Sequence, residues 1–372
     1  MLAESAGAAD ASADPRVRAG IQLHLPTYRT ESLADIRAIA QRAADVGFGE
    51  VWVTDNLSSR SALAVLCDLA PRVQVDLGTA ILAQYLRSPF ETARALTCVS
   101  ELMDGRALHV GIGAGNPSST RLLETPKPGA FMRETTECLR LLLSGKPVEL
   151  AAFPLLAAYF RMSPTAVVSG LPAAPGPTQI YGGGNGPRGL DLAGGRLDGV
   201  ILGWTLLPAI LLDRLAPMVS AIRTGAEAAG RTGLPTLVGE VKLSLAQSTD
   251  AARDFARAHA PSLASRWLGL RTRGYGAAEL AALGMTEKCI SVMESAVAGR
   301  ALASEWLGDE LMDSFMIVGD PTRCRERVEW LAQRAQAQGV SQLMFSELGP
   351  DPLAAVTILG ETVLPALRET RR

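Results

Sequence analysis

Aromatic side chains are scarce, at 5% of 372 residues. The core must therefore rest on Ala, Leu, Val and Ile rather than on rings. Histidine is scarcer still: three copies lie far apart, so no dedicated metal site is expected. The five cysteines, Cys67, Cys98, Cys138, Cys289 and Cys324, are scattered and form no CxxC pair. An odd, dispersed set argues against a disulfide scaffold and suits free thiols in a reducing cytoplasm. Net charge is only −2, from 36 basic and 38 acidic residues. Without a large field of either sign, no nucleic-acid or membrane-surface partner is expected. No apolar run is long enough to cross a bilayer. Residues 1–18 are small and polar. They lack the basic and apolar regions of a signal peptide and read as a disordered tail.

What the chain does have is a rhythm. Short apolar segments at residues 20–25, 50–54, 73–82, 108–112, 179–181, 198–202, 237–245 and 342–345 alternate with helix-period stretches. Strands apolar on both faces suit a parallel sheet covered by helices. Eight such units, with right-handed crossovers, close into an α/β (β/α)8 TIM barrel spanning residues 19–372. An open doubly wound sheet is the alternative. It normally places its phosphate loop after the first strand, where this chain has Leu25-Pro-Thr27 and no glycine. Ser88-Pro-Phe-Glu91 and Gly319-Asp-Pro-Thr322 read as capped helix starts, the first with Glu91 placed to bond back to the Ser88 amide. Residues 259–316 break the rhythm and are expected to be an insertion before the last helix, serving as a lid or substrate wall.

In a barrel the active site lies at the carboxyl ends of the strands. Two glycine-rich loops fall there, Gly111-Ile-Gly-Ala-Gly115 and Gly182-Gly-Gly-Asn-Gly186. Glycine lets backbone amides approach an anion closely, and a following helix start adds to the attraction. Neither loop carries the GK[ST] of a Walker sequence. Asp55 ends the second strand, either as a ring or catalytic contact or as a helix cap. His24 alternates with Leu23 and Leu25; it either points into the barrel near the first strand's end or is a satisfied core histidine. His109 reads as core. Trp204 either stacks on a planar ring or packs the rim. No nucleophilic triad is placed at the strand ends. Anion loops, few acid–base groups and a lid suit chemistry carried by an organic cofactor.

Four segments then resemble the bacterial-luciferase-like superfamily of flavin- and deazaflavin-dependent oxidoreductases. They are Val51-Trp-Val-Thr-Asp-Asn56, residues 77–89 (Leu-Gly-Thr-Ala-Ile-Leu-Ala-Gln-Tyr-Leu-Arg-Ser-Pro), residues 101–116 ending in Gly113-Ala-Gly-Asn116, and residues 182–200. Within it the chain is most similar to the branch of methylene-tetrahydromethanopterin reductase and coenzyme F420-dependent reductases. The resemblance implies coenzyme F420 as cofactor, with FMN as the alternative, and hydride transfer to or from a small organic substrate. A luciferase-like FMN monooxygenase fed by a partner reductase, or a non-catalytic cofactor-binding protein, are the other readings. It also implies a cytoplasmic homodimer.

By position, Asp55, Asn56 and His24 are the catalytic candidates. Asp55, Gly78, Thr79, Ala80, Gly113, Gly115, Asn116, Gly182, Gly183, Gly184, Gly203 and Trp204 would hold the cofactor. The resemblance places a non-prolyl cis peptide at Gly78-Thr79-Ala80, behind the ring. Deazaflavin sugar-phosphate dehydrogenases of this family carry His and Glu where this chain has Asn56 and Asn116, which counts against that reaction.

Overall fold

Glycines and small apolar residues bring eight strands close enough to close on themselves. The structure is a computed structural model that describes residues 17–25, 31–115, 127–183, 186–298 and 308–369. The barrel strands are β1 (Arg18–Leu23), β2 (Glu50–Val53), β3 (Asp76–Ala83), β4 (Leu108–Gly113), β5 (Thr178–Gly183), β6 (Gly199–Ile201), β7 (Thr236–Leu245) and β8 (Gln342–Ser346). Every neighbouring pair is parallel. The ring closes where Ile201 of β6 meets Val238 of β7 and Ile21 of β1 meets Phe345 of β8. The closed barrel is realised, and the open sheet is not. All eight expected strands are present, with their ends displaced by a few residues.

Helices α1 (Leu33–Asp45), α2 (Ala62–Leu69), α3 (Pro89–Leu102), α4 (Pro128–Leu143), α5 (Pro187–Arg196) and α6 (Leu215–Ala228) pack outside the strands. Each buries an aliphatic stripe; in α1 it is Ile36, Ile39, Ala40 and Ala43. The start of α3 differs in detail from expectation. Ser88 Oγ accepts from the Phe90 amide at 3.2 Å, but Glu91 turns outward to Arg94 at 2.9 Å instead of closing a capping box.

The expected aliphatic core describes the strand–helix layer but not the barrel lumen. There Trp52 stacks on His109, with centroids 5.2 Å apart, and meets Tyr181 edge-on at 5.4 Å. Gly78 makes room for this plug: a Cβ there would lie 2.6 Å from the Trp52 ring. Two of the scarce rings thus help to fill the lumen.

The region after β7 departs from the expected boundaries. Helix α7 runs Thr249–Leu268, ten residues further than the sequence pattern implied, with Ser248 as its cap. Shorter helices Ala277–Ala282, Glu287–Val297 and Asp309–Phe315 follow. Together they enclose an apolar cluster of their own, including Trp267, Leu283, Met293 and Phe315. A short strand, Ile317–Gly319, then pairs with the end of β7. This insertion therefore precedes α8 (Pro321–Ala337), the helix leading into β8, and not the terminal helical run Pro352–Ile358, Leu359–Val363 and Leu364–Glu369. At the other end, Arg18 of the expected tail already belongs to β1, and residues 1–16 lie outside the described residues.

Candidate active site

The carboxyl end of β3 shapes one wall of the barrel mouth. Pairing with β4 slips between Thr79 and Leu82, and the Ala80–Ile81 peptide is cis. The bond lies just past the expected Gly78-Thr79-Ala80 segment. Two buried contacts hold the bulge. Gln22 Nε2 donates to the Ala80 carbonyl at 2.8 Å, and Thr79 Oγ1 donates to the Gly111 carbonyl at 2.9 Å. Gly111 is required by that approach, because a Cβ there would sit 2.0 Å from the Thr79 oxygen.

The bulge throws the Ile81 side chain across the mouth. It covers the positions where Gly113 and Gly183 would carry a Cβ, at 2.6 and 3.1 Å. These glycines therefore first accommodate Ile81. Gly182 faces outward, against Leu197 and Met132, away from the mouth. Gly115 adopts a left-handed φ of 86° at the end of β4. Asn116 and Gly184 lie outside the described residues.

Asp55 is buried at the end of β2 and held by a bidentate pair with Arg87, at 2.6 and 3.1 Å. The helix-cap reading of Asp55 is not what the structure shows. Asn56 Oδ1 accepts from the Ser58 amide at 3.1 Å and so closes a turn. Two buried polar groups nearby lack good hydrogen-bond geometry with any described protein atom: the Thr54 hydroxyl and the Gln84 amide.

The adjoining part of the mouth carries a charge cluster on β1, β7 and β8. Lys242 Nζ lies 2.8 Å from Glu347 Oε1 and 3.1 Å from Glu240 Oε1, and its side chain is 1% exposed. Ser346 Oγ donates to Glu240 at 3.0 Å. His24 Nδ1 lies 3.4 Å from Glu347 Oε1, while its Nε2 faces Arg266 Nη2 of α7 at 3.5 Å. Arginine only donates, so Nε2 is the accepting nitrogen and Nδ1 carries the proton toward Glu347. Glu347 reaches this place through a left-handed turn, with φ of 70° there, 65° at Leu348 and 111° at Gly349.

Burial alone would push the Glu347 carboxyl up; His24 and the Lys242 ammonium reverse this and hold it well below the usual carboxylate range. Glu240 is likewise opposed by burial yet lowered, chiefly by Lys242. Burial pushes His24 below its ordinary value, and Glu347 opposes that only in part. The mouth thus pairs ionised carboxylates with a neutral imidazole.

A model of the family described as luciferase-like monooxygenase matches residues 12–338. The chain belongs to that family. It is 28% identical to a 5,10-methylenetetrahydromethanopterin reductase of Archaeoglobus fulgidus over 338 residues, covering 88% of this chain and 93% of the relative. It is 26% identical to an F420-dependent glucose-6-phosphate dehydrogenase of Nakamurella multipartita, covering 95% and 97%. Among solved structures, the coenzyme F420-dependent tetrahydromethanopterin reductase of Methanopyrus kandleri shares the fold at a TM-score of 0.74 and 22% identity, over 95% of this chain and 99% of that one.

In this luciferase-like barrel, several candidates fall where the sequence placed them and several do not. Asp55, Thr79, Ala80, Gly113 and His24 all lie at the carboxyl end. Gly203, with φ of 56°, opens a short turn that carries Trp204 under the insertion. There Trp204 packs toward Phe315 at 6.2 Å and beneath the Arg273 guanidinium at 5.3 Å. Lys242, Glu240 and Arg266 were missed. A visible signal existed: Glu240-Val-Lys242 puts two charges on one face of an otherwise apolar strand. Arg266 gave none, since it comes from the insertion. At the amino end, Glu50, Asp76 and His109 also converge, with donor atoms within 4.8 Å of one another. Arg18 pairs with both carboxylates, at 2.8 Å from Glu50 and 3.1 Å from Asp76.

Proposed function

We propose that this chain is a coenzyme F420-dependent oxidoreductase that passes a hydride between the deazaflavin and a small organic substrate. The observation that carries the reading is the divided mouth. One part offers the Ile81 bulge, Asp55 and the buried Thr54 and Gln84 side chains. The other part offers a buried, proton-active cluster around His24. The names of the relatives support the choice of coenzyme.

The residues present fit a planar group with a polar edge. Ile81 would back the ring, and Asp55, fixed by Arg87, would face the polar edge beside Thr54 and Gln84. When bound, the deazaflavin supplies a two-electron hydride donor or acceptor. The chain's own task is to orient, shield and manage a proton. Neutral His24 would take a proton at Nε2 from a substrate hydroxyl once Arg266, which donates to that nitrogen at 3.5 Å here, turns aside; in the reverse direction the charged ring would return one to a carbonyl oxygen. Glu347 steadies that charge, and Lys242 keeps Glu347 ionised. The insertion covers the mouth and excludes water.

An FMN-dependent monooxygenase served by a partner reductase is the second reading, favoured by the description of the family model. Fluorescence titration with coenzyme F420 and with FMN separates the two. We expect micromolar or tighter binding of F420; tight binding of FMN alone overturns the proposal. Cytoplasmic residence is supported by five free cysteines. A homodimer is our expectation from the resemblance, and light scattering tests it. Among the described residues, no helix is long and apolar enough to cross a membrane.

A further inference from the structure

At the amino end of the barrel, away from the mouth, β2, β3 and β4 each contribute one side chain able to ligate a metal. Glu50 and Asp76 are partners in the register of β2 and β3, and His109 of β4 lies across from Gly78. One ligand atom from each of the three lies within 4.8 Å of the others. The Glu50 and His109 side chains are 1% and 2% exposed, so neither is solvated. Gly78 makes the room that His109 needs, since a Cβ there would lie 2.9 Å from the His109 Cβ.

The surroundings fix how the carboxylates are turned. Glu50 Oε2 accepts from the Trp52 indole at 3.0 Å, and Asp76 Oδ1 accepts from the Ala107 amide at 2.9 Å. Each carboxylate is thus held by one oxygen and presents the other. Both presented oxygens meet a single nitrogen, Arg18 Nη2, at 2.8 and 3.1 Å. His109 Nε2 stands 3.7 Å from Asp76 Oδ2, too far for a hydrogen bond, and neither ring nitrogen has a hydrogen-bond partner among the described residues. The guanidinium supplies one positive charge against two carboxylates and leaves the imidazole unpaired. Its side chain is 54% exposed, so it can turn out into water. A divalent cation would bring the second charge and engage the imidazole as well.

We propose that Glu50, Asp76 and His109 form a binding site for a divalent transition-metal cation, Zn²⁺ or Mn²⁺, which displaces Arg18. One imidazole nitrogen beside two carboxylate oxygens suits these ions better than Mg²⁺ or Ca²⁺, which take oxygen ligands. Metal–ligand bonds of about 2.0–2.2 Å require the three side chains to close by about 1 Å. Water would complete the coordination on the side that Arg18 vacates. The ion would tie three neighbouring strands together at the end of the barrel that bears on stability, so the site stands independently of the coenzyme reading. The wide spacing of the histidines hid it, because only one of them takes part and the carboxylates come from two other strands.

Calorimetric titration of the full chain, first stripped with EDTA, with ZnCl₂ and with MnCl₂ tests the site. Saturable binding of one ion per chain is expected for at least one of the two, with a rise in melting temperature. Asp76→Asn and His109→Gln should each weaken that binding about tenfold or more. Arg18→Gln should instead tighten it about fivefold, the equivalent of one exposed ion pair, because the competing cation is gone. A purely structural Arg18 would not produce that gain. Cys98→Ser, which removes an exposed thiol, should bind like the parent. Absence of saturable binding for both ions, or parent-like affinity in both Asp76→Asn and His109→Gln, overturns the proposal. So does weaker or unchanged binding in Arg18→Gln. Loss of binding in Cys98→Ser would assign the metal to thiols and overturn it too. Should the two ligand variants fail to fold, Arg18→Gln and Cys98→Ser still decide the question.

Discussion

Replacing Lys242 with Met probes the buried cluster directly. The ammonium sits about 3 Å from two carboxylates and is 1% exposed. At an effective dielectric of about 20, each contact is worth about 5 kcal/mol, offset by several kcal/mol of lost ammonium hydration. Methionine keeps the stem volume but strands Glu240 and Glu347 as buried neighbours. Breaking one partner of such a cluster costs about 3–5 kcal/mol. In the parent, both carboxyls are held below their ordinary value. Their stabilisation is therefore present above about pH 4.5 and is lost as pH falls through their folded-state values. In Lys242→Met the sign reverses. Repulsion raises a carboxyl, its protonation relieves the strain, and the deficit shrinks as pH falls. Urea unfolding at pH 8 and pH 5 should show the larger deficit at pH 8. A difference below about 1 kcal/mol at pH 8, or an equal deficit at both, refutes this electrostatic account. Adding Glu347→Gln to Lys242→Met should recover part of the loss at pH 8, since one stranded charge is gone.

Asp55→Ala should weaken F420 binding at least about tenfold in a fluorescence titration, because Arg87 loses its bidentate partner and the polar edge loses its acceptor. An unchanged affinity would reduce Asp55 to a loop ion pair. Gly111→Ala should destabilise by about 3 kcal/mol, read as a fall in melting temperature, since its Cβ would press on the Thr79 carbonyl at 2.0 Å. A neutral result would show that the β3 bulge yields easily. Where His24 moves the proton, His24→Gln should lower kcat about 100-fold or more with little change in F420 affinity. Retention of full turnover would exclude His24 from proton transfer.

Local rules carried much of the fold. Alternating apolar segments gave the eight strands, and the absence of glycine after the first strand favoured a barrel over an open sheet. Caps were legible where one side chain decides them, as at Asp320, whose carboxylate accepts from the Arg323 amide at 3.1 Å. The site was legible only in part. Asp55, His24 and the bulge region lie on strands whose ends local pattern can locate. Glu91 was misread because two acceptable partners compete for a surface carboxylate, and Arg94 won. The glycines were read as an anion cradle, yet Gly113 and Gly183 make way for Ile81, which a bulged strand delivers from elsewhere.

Residue order and spacing thus determined the parallel α/β architecture, the face that bears the chemistry and the family resemblance, because each depends on periodicity or short motifs. Tertiary structure alone decided how the charges combine. His24, Glu240, Arg266 and Glu347 are separated by up to 323 residues, and only barrel closure and the return of α7 bring them together. Ion pairing falls off with distance in space and is indifferent to distance along the chain. No local pattern could therefore announce that Lys242 and Arg266 would together face Glu240 and Glu347.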